Sequence, residues 1–215
     1  MNEMNVKCCF LIDATGSMNS WLNATKTQTA AIVSEIQQEH PEVHIEIAAV
    51  FYRDFDDDEQ YRIIPFTDDI PFFLDKIQDI EAIGGHDICE DMSGGFERVL
   101  HLDWTNAAVK NLFLIADAPP HGRAWHSPEI SDRYPDDDFN LPDIIREVAD
   151  CNIKLTIVKA TMSKCLNKMI QNIDNIFTTA GKSITVSDLI PQSEDLTLFR
   201  TISMGVSESI KISTI

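Results

Sequence analysis

The sequence predicts a doubly wound α/β fold, in which a mostly parallel six-stranded sheet has one antiparallel edge strand and helices on both faces. Short apolar runs alternate with amphipathic helical patterns along the whole chain. Several of these runs are continuously apolar, as strands are when helices cover both faces of a sheet. No internal repeat and no long linker divides the sequence. Residues 1–215 are therefore expected to form one domain, with a core from about residue 7 to about residue 210.

The strands are predicted from runs of apolar and β-branched residues that end at polar or turn-forming residues. In chain order they are residues 7–12, 43–51, 61–66, 112–116, 153–158 and 183–186. The third run follows the second after a short acidic loop, so it can return antiparallel beside it. Pro65, near the end of that run, favours the edge of the sheet, because proline cannot donate to a strand ladder.

The helices are predicted between the strands, where apolar side chains recur at helical spacing. In chain order they are residues 21–39, 71–80, 92–100, 142–150, 162–173 and 196–210. The first helix ends at His40-Pro41, since proline cannot continue a helix. Residues 118–141 are rich in proline and polar side chains and are predicted to be the least regular part of the chain.

The composition restricts the expected partners and the compartment. The formal net charge of −18 argues against nucleic acid or an anionic membrane as a partner, because both require a basic surface. No apolar run is long enough to insert into a membrane, and the first residues lack the features of a signal peptide. The five cysteines include no C-x-x-C pair, which argues against a zinc cluster or a disulfide framework. A cytoplasmic location is therefore expected.

The loop after the first strand has two interpretations. Asp13, Thr15 and Ser17 occupy alternate positions there, so their oxygens can point the same way. A carboxylate with two hydroxyls suits Mg²⁺ or Mn²⁺. The alternative is a helix cap, because serine and threonine are favoured immediately before a helix. The first loop by itself leaves both interpretations open.

Two further loops favour the cation site. The strand at 112–116 leads directly into Asp117, and the loop before the third helix contains Asp87 and Glu90. Ligands of a doubly wound sheet bind beyond the carboxyl ends of its strands, where the strand order reverses. Three loops are thus expected to bring carboxylates to one edge of the sheet.

These residues resemble the von Willebrand factor A domain, whose metal-ion-dependent adhesion site carries D-x-[ST]-x-S in its first loop. Asp13, Thr15 and Ser17 fit this motif, and Asp117 matches the aspartate of the family's third loop. The second loop is more similar to the integrin β-subunit version, whose Asp-x-Pro-Glu pattern resembles Asp87-Ile-Cys-Glu90. That resemblance implies that Glu90 ligates the main metal and that Asp87 helps a neighbouring cation site.

A more specific resemblance is to the A domains attached to α-type protein kinases, and it covers the chain from about residue 7 to about residue 210. It rests on Asp-Ala-Thr-Gly-Ser-Met at 13–18, Tyr-Arg-Asp at 52–54, Gly-Gly-His-Asp with Glu-Asp at 84–91, and Asp-Ala-Pro-Pro-His-Gly at 117–122. The kinase signatures H-R-D and D-F-G are absent from the sequence. The chain itself is therefore not expected to be an enzyme.

The resemblance implies a protein-binding module that uses Mg²⁺ or Mn²⁺ to dock a partner, which can donate an acidic side chain to the metal. Such a module would target or regulate a cytoplasmic protein related to the α-kinases. The partner-binding face is expected to include Met18, Asn19, His86 and His121. In the commonest form of the family the second loop offers a threonine near the place where this chain has Asp87, and Glu90 comes three residues later. Glu90 would add one more negative charge than a threonine-containing site has, so it is expected to tighten cation binding and to weaken the pull on an outside carboxylate.

Two other functional interpretations stay open. A Mg²⁺- or Mn²⁺-dependent phosphoryl or ester hydrolase could use the same hydroxyls and carboxylates, although no residue stands out as an activated nucleophile. Alternatively, the loops are purely structural and hold no ion.

Acidic and imidazole groups near the predicted site receive separate expectations. The acidic segment 54–59 lacks the glycine and the later glutamate of an EF-hand loop and is expected to be solvated. Asp54 either reaches the second cation site or pairs with Arg53 or Arg62. Oxygen sites for Mg²⁺ rarely use imidazole, so the nearby histidines are expected outside the ligand set or facing solvent. These are His86, His121 and His126.

Overall fold

The predicted fold class is confirmed by the computed structural model, which describes residues 4–137, 139–188 and 196–213. Six strands form one sheet in the order β3-β2-β1-β4-β5-β6. The strands are β1 (Met4–Asp13), β2 (Val43–Tyr52), β3 (Tyr61–Thr67), β4 (Val109–Ala116), β5 (Lys154–Lys159) and β6 (Thr185–Asp188). All neighbouring pairs are parallel except β2 and β3, so β3 is the predicted antiparallel edge strand.

Helices connect the strands on both faces of the sheet. They are α1 (Asn19–Glu39), α2 (Ile70–Gln78), α3 (Met92–Leu100), α4 (Leu141–Asp150), α5 (Asn167–Thr179) and α6 (Leu196–Ser213). Between β4 and α4 the described residues form neither helix nor strand, as the sequence predicts for 118–141. No helix among the described residues combines the length and the apolar character needed to cross a membrane.

Each of the two faces of the sheet carries a hydrophobic core, because successive side chains of a strand point to opposite faces. From β1, Phe10 and Ile12 join the core under α1, α2 and α6. Leu11, between them, joins the core under α3, α4 and α5. Burial on both faces explains why the central strands read as continuous apolar runs.

The prediction for α5 is wrong at its start, which lies at Asn167 rather than near residue 162. The residues before it form hydroxyl-bonded turns. Thr161 Oγ1 accepts a hydrogen bond from the Ser163 amide at 3.1 Å, and Ser163 Oγ accepts one from the Cys165 amide at 3.2 Å. These side chains satisfy backbone groups locally and so compete with the helix.

The position of β1 creates the crevice in which the predicted site lies. β1 pairs with β2 on one side and with β4 on the other. The connection that follows β1 leads to β2, and the connection that follows β4 leads to β5 on the opposite side. The loops at the carboxyl ends of β1 and β4 therefore diverge and open a cleft. Asp13 ends β1, and Asp117 follows β4 at the same edge.

Close packing of α3 on the sheet predicts a large penalty for a single methyl group. A Cβ atom on Gly95 would lie 2.9 Å from Leu11 Cδ1 and 3.1 Å from Tyr52 Cδ1. We expect Gly95→Ala to lower the free energy of unfolding by about 1–3 kcal/mol, measured by urea titration. Gly205→Ala in α6 is the matched control, because the nearest atom to its Cβ is a Phe113 ring carbon at 3.4 Å. There the better helix propensity of alanine should leave stability unchanged or raise it by up to about 1 kcal/mol, and equal losses in both variants would refute the packing argument.

Candidate metal centre

Four side chains from two loops form a continuous chain of oxygen atoms at the carboxyl edge of the sheet. Asp13 Oδ1 accepts a hydrogen bond from Thr15 Oγ1 at 2.7 Å, and Thr15 Oγ1 lies 3.4 Å from Ser17 Oγ. Ser17 Oγ in turn donates to Asp117 Oδ1 at 3.0 Å. We call Asp13, Thr15, Ser17 and Asp117 the oxygen cluster. The structure thus brings together the predicted residues of the first and third loops.

The helix-cap interpretation of the first loop is wrong. Helix α1 begins at Asn19, and its N-cap residue is Met18, whose side chain makes no capping hydrogen bond. Thr15 precedes a short 3-10 turn (Gly16–Met18), again without a capping hydrogen bond from its side chain. Its hydroxyl, like that of Ser17, points to a carboxylate instead of to the helix amides.

Spacings in the oxygen cluster fit a small divalent cation. Adjacent ligands of an octahedral Mg²⁺ with bonds of about 2.1 Å lie about 3 Å apart, close to the three separations of 2.7, 3.4 and 3.0 Å. Around the cluster, three buried polar atoms of the described residues have no hydrogen-bond partner: Asp13 Oδ2, Tyr52 Oη and Glu90 Oε2. Buried polar atoms rarely stay unpaired, so a bound ion with its waters would satisfy this set.

Glu90 approaches the cluster through a tight glycine loop. Gly85 has a φ of 81°, a left-handed conformation that favours glycine. A Cβ atom on Gly85 would lie 2.9 Å from Glu90 Oε1 and 3.3 Å from Thr15 Cβ, so the loop packs against both residues. The Glu90 amide also donates to the Pro119 carbonyl at 3.1 Å, which ties the second loop to the third.

Burial and like charge favour the neutral form of these acids. Burial, with the nearby charge of Asp117, raises the pKa of Asp13 to about 7. Burial, with the charges of Asp13 and Asp54, raises the pKa of Glu90 to about 10. The pKa of Asp117 is also raised, chiefly by burial. A divalent cation among these oxygens would stabilise the ionised carboxylates instead.

The hydroxyl groups of Thr15 and Ser17, rather than direct contacts between one carboxylate and another, link the residues of the oxygen cluster. Among the described residues, Asp13, Glu90 and Asp117 do not form a group whose ligand atoms all lie within 4.8 Å of one another. This separation suits a site in which Thr15 and Ser17 contact the ion while some carboxylates act through water.

Part of the acidic segment is buried, so the expectation of a solvated loop at 54–59 is wrong for Asp54 and Asp57. Asp54 is fully buried, and the Asp57 side chain is 4% exposed. Asp57 Oδ2 accepts hydrogen bonds from the Asp54 and Gly85 amides, both at 3.0 Å. It therefore fixes the loop after β2 to the loop that carries Glu90.

Arg53 is a buried cation that the sequence does not single out as an organiser of the site. Its guanidinium donates to the Ala14 carbonyl at 3.3 Å, to the Glu59 carbonyl at 2.5 Å and to the Glu81 carbonyl at 3.0 Å. These contacts join the loops that follow β1, β2 and α2. Arg53 thus holds the backbone next to Asp13 in place.

A second polar group, the histidine cluster, lies in the loops beside the oxygen cluster. Its members come from the loops after β2, after α2 and after β4: Asp54, Asp87, His121, His126 and Asp132. His121 Nε2 lies 2.8 Å from Asp54 Oδ1, and His121 Nδ1 lies 2.7 Å from Asp132 Oδ1. His126 Nε2 lies 2.9 Å from Asp132 Oδ2. Asp54 therefore pairs with His121, and both predicted arginine partners are wrong.

Opposing effects set the pKa of His121. Burial works to lower it, but the hydrogen bonds and charges of Asp54 and Asp132 outweigh burial and raise the pKa above its ordinary value. At Asp132, burial works to raise the pKa, but the hydrogen bonds from His121 and His126 outweigh burial and lower the pKa of that carboxyl. The cluster is thus a buried network of paired charges.

The predicted partner-binding face is only partly at the surface. Asn19 and His86 are exposed, with the His86 side chain 54% accessible. Met18 and His121 are buried, so their assignment to the face is wrong. Met18 packs into the core under α1 because the turn after β1 directs it inward, and His121 is held between two aspartates.

Sequence reasoning missed Asp132 altogether and misjudged the role of Arg53. Asp132 stands alone in an irregular loop, and its partners His121 and His126 form no H-E-x-x-H pair that would have drawn attention to them. The one available signal was the pair of histidines in a strongly acidic chain, since buried imidazoles commonly take carboxylate partners.

Comparisons with known proteins agree with this fold. A family model described as the von Willebrand factor A domain matches residues 7–130. Alpha-protein kinase vwkA from Dictyostelium discoideum is 26% identical over 212 residues, a match that covers 97% of this chain and 33% of that protein. The chain therefore spans about a third of the length of this curated relative.

Solved structures show the same fold at low sequence identity. The pilus adhesin SpaC from Lactobacillus rhamnosus GG, in its open conformation, has a TM-score of 0.68 and 12% identity, and the match covers 99% of this chain and 31% of SpaC. The PilB minor pilin from Streptococcus sanguinis has a TM-score of 0.61 and 12% identity, covering 99% of this chain and 62% of PilB.

Proposed function

Because this chain belongs to the von Willebrand factor A domain family, we propose that it is a protein-binding module whose partner binding depends on Mg²⁺ or Mn²⁺. The observation that carries the proposal is the oxygen cluster, in which four side chains from two loops place neighbouring oxygens 2.7, 3.4 and 3.0 Å apart, close to the spacing of about 3 Å between adjacent ligands of Mg²⁺. The unpaired Asp13 Oδ2 and Glu90 Oε2 support it. We take the chain as one module, with a core from about residue 7 to about residue 210.

In the proposed site, each residue has a distinct task. Thr15 and Ser17 hold the ion through neutral hydroxyl oxygens, and Asp13 and Asp117 hold it directly or orient its waters. Glu90 adds negative charge from the second loop. Bound Mg²⁺ supplies an electrophilic position that a carboxylate of a partner protein can complete. Exposed Ser17 and Asn19 stand at the mouth of the site, where such a partner would approach.

The biological setting is part of the proposal. The Dictyostelium relative is named as an alpha-protein kinase, and we propose that this domain targets or regulates a cytoplasmic protein of that kind without catalysing a reaction itself. The five cysteines are all free, which suits a reducing compartment. The net charge of −18 favours a protein partner over nucleic acid or membrane.

Cation binding should raise the stability of the chain by a predictable amount. Mg²⁺ at about a hundred times its Kd should add roughly 2.7 kcal/mol to the free energy of unfolding. The Ser17→Ala variant should lose this gain in stability. The control variant Ser20→Ala, which removes an exposed hydroxyl in the first turn of α1, should keep it. In calorimetry, Glu90→Thr should weaken Mg²⁺ binding.

An equal Mg²⁺ effect in both serine variants, or none in the parent chain, would leave the purely structural interpretation. Binding of an acidic peptide that persists in EDTA would contradict the docking role. The hydrolase alternative stays a prediction and would require turnover of phosphate esters that disappears in Asp117→Ala.

A further inference from the structure

We propose that His121, Asp54 and Asp87 form a second metal site, which binds a transition-metal ion of the Zn²⁺ class through one imidazole nitrogen and two carboxylates. Ligand atoms of these three residues all lie within 4.8 Å of one another. The imidazole Nε2 and Asp54 Oδ1 are already 2.8 Å apart. Adjacent ligands of a tetrahedral Zn²⁺ with bonds of about 2.0–2.1 Å are separated by about 3.4 Å, so a small side-chain adjustment completes the set.

Two unpaired carboxylate oxygens favour a cation at this group of ligands. Asp54 is fully buried, and its Oδ2 atom has no hydrogen-bond partner within the part of the chain that the structure describes. The Oδ1 atom of Asp87 is likewise buried and unpaired, while its Oδ2 accepts from the Arg133 amide at 2.5 Å. A buried unpaired carboxylate oxygen costs free energy, and two of them in one group of ligands are satisfied together by a single ion.

The far side of the imidazole is fixed as it is in metal-ligating histidines. Such a histidine usually gives its other ring nitrogen to a carboxylate, which sets the tautomer and the ring orientation. Here His121 Nδ1 lies 2.7 Å from Asp132 Oδ1, opposite the proposed metal position. Phe55 stacks on the ring with centroids 5.1 Å apart, and Tyr134 meets it edge-on at 5.0 Å. The ligand nitrogen is therefore held in one direction before any ion binds.

Asp132 has a positioning role and is not itself a ligand, because both of its oxygens are occupied. Oδ1 accepts from the Tyr134 amide at 2.8 Å in addition to His121. Oδ2 accepts from the Gly122 amide at 2.9 Å and contacts His126 Nε2 at 2.9 Å. Ligand atoms of Cys89, His126 and Asp132 also lie within 4.8 Å of one another. Because the hydrogen bonds already occupy both oxygens of Asp132, that group has no third ligand for a metal.

The donor set selects the ion. Mg²⁺ prefers oxygen ligands throughout, whereas imidazole with carboxylates suits Zn²⁺ and its neighbours in the first transition row. Three protein ligands leave at least one coordination position for water or another group. The two sites are thus expected to differ in selectivity, with Mg²⁺ or Mn²⁺ in the oxygen cluster and Zn²⁺ at His121.

The test uses the 215-residue chain with Mg²⁺ in excess, so that Zn²⁺ or Co²⁺ reports the second site. Calorimetry should show that one equivalent of Zn²⁺ binds although Mg²⁺ is already present in excess. Bound Co²⁺ should show the visible absorption that is typical of a site with a nitrogen ligand. Asp87→Asn should weaken binding by more than the roughly 10–100-fold that loss of an outer-shell partner causes. Asp132→Asn should fall within that 10–100-fold range and should change the Co²⁺ spectrum.

Two control variants separate this site from its surroundings. His86→Ala removes an exposed imidazole outside the cluster and should leave Zn²⁺ affinity unchanged. Ser17→Ala removes a ligand of the oxygen cluster and should also leave it unchanged, so the two sites can fail independently. Asp87 is partly exposed, so its variant should keep a cooperative unfolding transition. Zn²⁺ affinity that is unchanged in Asp87→Asn, or lost in His86→Ala, would overturn the proposal.

Discussion

The metal-free chain should lose stability as the pH rises from about 4.5 to about 7. Asp13 and Glu90 have folded-state pKa values of about 7 and about 10, well above the ordinary values near 4 that they regain on unfolding. In this window the folded chain keeps protons that the unfolded chain has released. Each such group therefore lowers the free energy of unfolding by about 1.4 kcal/mol per pH unit.

Urea unfolding in EDTA at a series of pH values measures this slope. Glu90→Gln should make it shallower, because the amide has the same shape and takes no part in titration. Excess Mg²⁺ should flatten or reverse the slope in the parent chain, since the ion favours the ionised carboxylates. Stability that rises with pH in EDTA would contradict the charge arrangement described for the oxygen cluster.

Asp132→Asn should be among the most destabilising single substitutions in the chain. Its carboxylate contacts the two buried imidazoles of the histidine cluster and accepts hydrogen bonds from two backbone amides. Removing its charge leaves His121 with a reduced share of compensating negative charge in a buried site. Breaking a buried ion pair from one side typically costs 3–5 kcal/mol, and we expect a loss of about that size in urea unfolding at pH 6.

Asp136→Asn provides the matched control for this prediction. Asp136 lies in the same connection, but its side chain is 82% exposed and pairs with the exposed Arg123 at 3.1 Å. Exposed ion pairs contribute little, so the loss should stay within about 0.5 kcal/mol. Equal losses in the two variants would mean that Asp132 is not the centre of a buried network.

The fold was readable from the sequence because its signals are local. A strand buried on both faces needs an apolar side chain at nearly every position, and the run before Asp13 has this property. Pro65 marked the edge strand for an equally local reason, the loss of its amide. The start of α5 was misplaced because hydroxyl side chains compete with the helix over only a few residues.

The oxygen cluster was partly readable for a topological reason. Parallel strands end at one edge of a sheet, so Asp13 and Asp117 could be placed together although they are far apart in sequence. The alternate spacing of Asp13, Thr15 and Ser17 gave the rest of the donor set. The helix-cap alternative could be removed only by the direction in which the two hydroxyls point.

By itself, then, the sequence determined the fold class, the family resemblance and the loops that carry the oxygen ligands. Only the tertiary structure decided which charges are buried. Asp54, Asp57 and His121 look like exposed loop residues in a chain of net charge −18, yet packing of three loops removes them from water. Burial of a loop side chain depends on contacts with segments distant in sequence, and no periodic pattern records those contacts.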